Sequence, residues 1–211
     1  MGVISPVGND VNTFWSNLCN GVCGIDHIKS FPTDNLPVGI AGIIKDFKAE
    51  EYGMDKPFIR KQDLFTQYGV AAAYQAMKQS GLSSQGENKN IDPFRLGVYF
   101  GSGIGGFATQ YREISKMIED PSGQWISPLF IPTMISNIAA GHIAILNNAQ
   151  GPCLDIVTAC ATSTNAMGEA FRAIRNGYAD AIITGGCENA TIPIGIVGFA
   201  NAKALSRATD P

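Results

Sequence analysis

Apolar residues along the chain fall into helical and extended runs that alternate. Val11, Phe14, Trp15 and Leu18 recur at helical spacing behind Asn9 and Asp10, either of which can cap, and Gly21 stops the run. Val38 to Ile44 reads as a strand. Asp63 to Ser80 places Phe65, Tyr68, Ala72, Ala76 and Met77 on one helical face and ends at Gly81. The polar stretch Ser83 to Asn90 predicts a loop, and Leu96 to Phe100 a buried strand that runs into glycines. Phe107, Tyr111, Ile114 and Ile118 mark a third helix; after a loop at Asp120 to Pro128, Thr133 to Asn147 predicts a fourth, ending near Gly151. Cys153 to Val157 and Asp180 to Thr184 read as strands around a helix that starts near Ala161, carries Met167, Ala170, Phe171 and Ile174, and stops at Gly177. Strands alternating with helices predict an α/β sheet covered on its faces. No repeat, low-complexity tract or linker divides the chain, which reads as one structural unit.

Composition narrows the class of protein. The 211 residues are 45% hydrophobic, enough for a sizeable core. A net charge of -3 and a charged content of 16% argue against nucleic acid as the main partner. No run reaches the roughly 18 apolar residues that would span a membrane, and the start, Met1 to Pro6, lacks the layout of a secretory signal. Five cysteines, an odd number at irregular spacing, fit reduced thiols better than a disulfide framework. A cytoplasmic enzyme is the expectation.

The candidate chemistry centres on Leu154 to Ser163, where an apolar run meets Cys160 at the mouth of a small-residue helix. Unpaired amides at the start of that helix would draw down the thiol pKa, and a thiolate in a shallow turn is a competent acyl acceptor. A buried structural cysteine is the alternative. Gly101-Ser102-Gly103-Ile104-Gly105-Gly106 matches a dinucleotide-binding string, but Glu119 and Asp120 precede a loop where a second strand should end in an acid. Close backbone approach to a neighbouring loop or an acyl group suits these glycines better. Cys19, Cys23 and His27 are spaced by four, yet Gly21 and Gly24 interrupt the helix and no fourth ligand is near, which argues against zinc. His142, on an apolar face with Ile138, Ala139 and Ile145, reads as a core histidine, and Glu188, after Gly185-Gly186, as a structural acid held by backbone donors.

Taken in order, Ser5-Pro6-Val7-Gly8-Asn9, the glycine string, Asn137 with Ala140-Gly141-His142, Thr158-Ala159-Cys160, and Gly185-Gly186 with Glu188 resemble the beta-ketoacyl-acyl-carrier-protein synthases, most closely the elongating type II condensing enzymes of fatty-acid synthesis. The resemblance covers essentially residues 1–211 and makes them the N-terminal domain of such a synthase. It implies a thiolase-like layered αβα fold, here its N-terminal half, with a mixed sheet covered by helices, working as a homodimer without a cofactor or metal. It implies that Cys160 takes an acyl group from an acyl carrier protein, that malonyl carrier protein is decarboxylated, and that the carbanion attacks the acyl thioester. The Cys160 amide would form part of an oxyanion hole. Ile104 would flank the acyl chain, and the stretch from Pro132 to Asn137, with the candidate substrate-binding residues Thr133 and Met134, would lie at the dimer contact and help wall the partner's pocket. In the family an apolar strand precedes the equivalent of Met1, and two histidines and a lysine act from the second half, past the equivalent of Pro211; neither His27 nor His142 matches those histidine motifs. The expectation is a chain that accepts acyl groups weakly and does not condense. A polyketide-type ketosynthase and a non-catalytic synthase-like subunit are the alternatives within the fold; retention of Cys160 speaks against the second.

Overall fold

In a computed structural model of the chain, residues 1–82 and 90–211 are described, so the expected loop over Ser83 to Asn90 falls, apart from Asn90, outside the described residues. In chain order the elements are α1 (Val11–Cys19), β1 (Ile25–His27), β2 (Ile40–Gly42), α2 (Lys56–Lys61), α3 (Leu64–Ser80), β3 (Leu96–Gly101), α4 (Phe107–Glu119), α5 (Phe130–Met134), α6 (Ile138–Leu146), β4 (Cys153–Leu154), α7 (Thr162–Arg175), β5 (Ala181–Gly186) and α8 (Pro193–Asn201). They belong to two compact units, one made of Val3–Phe47 with Ala190–Pro211 and the other of Met1–Gly2 with Lys48–Asn189. Each unit is assembled from separated segments, so no single stretch of linker composition marks the division that the sequence reading passes over.

In the smaller unit Asp10 caps α1, its carboxylate accepting the Thr13 amide at 2.9 Å. β1 and β2 pair antiparallel with Asp26 opposite Ala41. The strand expected over Val38 to Ile44 is three residues long, and its partner Ile-Asp-His is too short to carry a recognisable alternation. Ile28, Val38, Ile40 and Ile196 form the core of this unit.

The larger unit is built on β3, all six residues of which are buried. β3 lies between β4 and β5, and all three strands run parallel, with Val98 opposite both Cys153 and Ile183. The mixture of strand directions therefore lies between two separate sheets, not within one. Neighbouring strand residues point to opposite faces. Tyr99 packs on Ala170 and Ala173 of α7, while the Phe100 ring reaches Gly69 of α3, so α3 and α7 cover the two faces. Phe65 of α3 and Val98 of β3 are wholly buried; each contributes about 2 kcal/mol by leaving water.

Two helices depart from the sequence pattern for identifiable reasons. The single helix expected from Thr133 to Asn147 is broken into α5 and α6: Ile135 is extended, with ψ 140°, and the carbonyl of Met134 accepts the Gly106 amide at 2.9 Å. In α4 the stripe of Tyr111, Ile114 and Ile118 faces outward, 41%, 54% and 75% exposed, while Thr109 and Glu113 are buried. Asp63, which caps α3, accepts both the amide and the hydroxyl of Thr109 at 2.9 and 2.7 Å. Glu113 accepts from Arg112, Lys116 and the Ser127 amide. The carboxylates of Asp63 and Glu113 thus bond this helix to the start of α3 and to Ser127, while Arg112 and Lys116 pair with Glu113 within the helix. Among the described residues no helix is long and apolar enough to cross a membrane.

Candidate active site

β4 ends at Leu154, and the chain passes through Asp155 and Ile156 into a 3-10 turn, Ala159–Ala161, directly ahead of α7. Cys160 is the middle residue of that turn, with an exposed free thiol, which removes the buried-cysteine alternative. Ala159 adopts φ +51°, a left-handed conformation that costs a residue with a Cβ on the order of 1 kcal/mol. The turn is held from both sides: the Thr158 amide donates to Thr162 Oγ1 at 2.9 Å, Asn165 Nδ2 donates to Thr158 Oγ1 at 2.7 Å, and the Ala161 amide donates to the Thr158 carbonyl.

The glycine string forms the loop between β3 and α4, and it lies against this turn. A Cβ on Gly103 would sit 3.0 Å from Glu188 Oε2 and 3.6 Å from Ala159 Cα, so the loop passes closely between the two. Gly105 has φ +79°, and a Cβ there would approach the Met134 carbonyl to 2.6 Å. Buried Ser102 donates its hydroxyl to Glu188 Oε1 at 3.1 Å and accepts the Gly105 amide at 2.9 Å. The Ile104 amide donates to Glu188 Oε2 at 3.1 Å. The expectation that backbone donors hold Glu188 is thus met, and the loop that resembles a phosphate cradle already carries a carboxylate. Desolvation pushes the Glu188 carboxyl up, against the bonds from Ser102 and the loop amides.

A second carboxylate stands on the other side of β3. Asp155 Oδ2 accepts from Ser136 Oγ at 2.5 Å, which ties the α5–α6 break to the segment leading into Cys160. Its carboxyl is also pushed up by desolvation, opposed by Ser136 and the Ser102 backbone. Ser102, Asp155, Cys160 and Glu188 all follow the carboxyl ends of parallel strands, where open α/β sheets place their ligand sites.

Of the residues singled out by sequence, Cys160, Ile104 and Met134 are linked through the glycine loop. Thr133 is buried and turns its hydroxyl to the Lys61 carbonyl at 3.0 Å, lining a cavity of about 290 Å3 with Arg60, Lys61 and Arg112. His142 packs edge-on against Phe58, ring centres 4.8 Å apart, and burial lowers its pKa. Cys19 closes α1 and His27 lies in β1, with the left-handed turn at Gly21 between them, so they share no helical face. Among the described residues no three His, Cys, Asp or Glu side chains are grouped to hold a metal. Cys187 lies beside Gly69; burial, with Glu188 nearby, raises its thiol. The pattern gave no role to Ser102 or Ser136, because their partners are 86 and 19 residues away in sequence.

The sequence profile described as "Beta-ketoacyl synthase, N-terminal domain" matches residues 1–211. The chain belongs to the beta-ketoacyl synthase family. It is 43% identical over 210 residues to a 3-oxoacyl-[acyl-carrier-protein] synthase 2 of Vibrio cholerae, and 43% identical to one of Staphylococcus aureus, in each case over 100% of this chain. It covers 49% and 51% of those relatives, so this beta-ketoacyl synthase chain spans about half their length. Among solved structures, the ishigamide ketosynthase/chain length factor superposes with a TM-score of 0.83 at 24% identity, over 97% of this chain and 50% of that one, which shows the thiolase-like fold. A type II polyketide synthase ketosynthase, solved in complex with its acyl-carrier protein, superposes with a TM-score of 0.75 at 26% identity, over 94% of this chain and 52% of that one.

Proposed function

We propose that this chain is the nucleophile-bearing portion of a 3-oxoacyl-acyl-carrier-protein synthase of fatty-acid elongation. The Cys160 thiolate attacks the acyl thioester of an acyl carrier protein; the carrier thiol leaves with a proton, and the acyl group stays on sulfur. Malonyl carrier protein then loses CO2, its carbanion forms the new carbon–carbon bond to the acyl carbonyl, and the Cys160 thiolate is released. Ile104 lines the acyl path, Met134 helps wall the partner's pocket across the dimer contact, and the backbone amide of Cys160 stabilises the oxyanion, a kind of contact worth about 100-fold or more. Stabilisation of the carbanion belongs to the family's two histidines, whose motifs neither His27 nor His142 matches. The enzyme works as a cytoplasmic homodimer.

The observation that carries this reading is the exposed Cys160 thiol on a turn fixed by Thr158, Thr162 and Asn165, with the glycine loop packed against it. Similarity to synthases with a 3-oxoacyl name at 43% identity favours fatty-acid elongation over the polyketide reading, which rests on structural relatives at 26%. The chain is mixed with a saturated acyl carrier protein, and released carrier thiol is followed alongside intact-protein mass. The expected result is one acyl group per chain, lost in Cys160→Ala. Equal acylation of Cys160→Ala would overturn the assignment.

A further inference from the structure

We propose that Glu188 is a positioning residue for the acyl chain: its carboxylate fills the concave side of the 102–105 loop and so sets where Ile104 stands beside the Cys160 turn. The proposal rests on the functional reading above, in which Ile104 lines the acyl path.

Glu188 follows β5, whereas the loop follows β3, so the carboxylate clamps one strand end to its neighbour. One oxygen takes the Ser102 hydroxyl and the other the Ile104 amide, both at 3.1 Å, and Ser102 in turn accepts the Gly105 amide. The amides of Gly103 and Asn189 also bond to it. Among the described residues no lysine or arginine pairs with Glu188, so its partners are neutral dipoles that close around it. An anion set in a ring of backbone donors fixes those donors more tightly than a neutral acceptor would. The Ile104 backbone is bonded directly to this carboxylate, so the place of the Ile104 side chain follows it. The Cys160 turn, by contrast, is pinned by its own bonds through Thr158, Thr162 and Asn165. Loss of the charge at Glu188 therefore disturbs the wall of the acyl path more than it disturbs the nucleophile.

Single-turnover acylation of Cys160 by acetyl, octanoyl and hexadecanoyl thioesters tests this, alongside alkylation by iodoacetamide, in the parent chain and in Glu188→Gln, Glu188→Asp and Ser102→Ala. The expected loss in Glu188→Gln grows with chain length, from about twofold with acetyl to about tenfold with hexadecanoyl, and appears in KM more than in the saturating rate. Ser102→Ala follows the same trend, Glu188→Asp retains most of the long-chain rate, and the Glu188→Gln/Ser102→Ala double variant is no worse than the worse single one. An equal loss at every chain length and in alkylation would show a purely structural acid and overturn the proposal, as would long-chain acylation at the parental rate in Glu188→Gln. If the parent chain takes up no acyl group at all, the functional reading fails and this one with it.

Discussion

Gly105 shows how one residue fixes the site. With φ +79° and the Met134 carbonyl 2.6 Å from where a Cβ would sit, it lets the glycine loop close on the end of α5, where the Gly106 amide bonds to Met134. Gly105→Ala is expected to cost about 1 to 3 kcal/mol in urea unfolding, because strain and a steric clash act together; a change below about 0.5 kcal/mol would show that the loop is free to move. Residues whose role is local were legible in the sequence: Asp10 as one of two candidate caps, Gly81 and Gly177 as helix stops, Cys160 at the mouth of its helix. Ser102 and Ser136 were not, since a serine announces nothing until folding brings a carboxylate to it.

At the scale of elements, α4 shows where periodicity misleads. Its apolar stripe looks like a core face, yet the buried side carries Thr109 and Glu113, because Asp63 and the Ser127 amide supply partners that no helical wheel contains, while Arg112 and Lys116 pair with Glu113 from within the helix. Burial alone would raise the Glu113 carboxyl, but the Ser127 amide, Lys116 and Arg112 outweigh it and hold the group down to about 2. The folded-state pKa is thus below the unfolded value, so the stabilisation is present above about pH 4.5 and is lost as pH falls toward 2. Denaturant unfolding should show a loss of at most about 3 kcal/mol across that window, less in proportion to the exposure of the two cations. In Glu113→Gln stability at pH 6 should fall and the acid-limb slope should flatten. An unchanged slope would show that other carboxylates govern acid unfolding. The break between α5 and α6 was invisible for a related reason: a hydrophobic period continues through Ile135, and only the tertiary demand on the Met134 carbonyl interrupts it.

For the whole molecule, the order of strands and helices was readable because parallel strands buried on both faces leave continuous apolar runs, as in β3. The division into two units was not, since each unit draws on separated segments. Met167, Phe171 and Ile174 of α7 lie exposed on one helical face, an apolar stripe that favours association. Sedimentation velocity should show this chain self-associating at micromolar concentration and a Phe171→Lys/Ile174→Glu variant shifting toward monomer; a parent chain that stays monomeric throughout would contradict this. The account as a whole turns on selectivity among thiols. Cys19, Cys23 and Cys153 are also exposed, so surface access alone would not single out Cys160. Peptide mapping after brief exposure to one equivalent of acyl carrier thioester measures that selectivity directly. The account predicts acyl label on the Cys160 peptide, with little on the other cysteine peptides. Label spread across the exposed cysteines, or missing from Cys160, would contradict it.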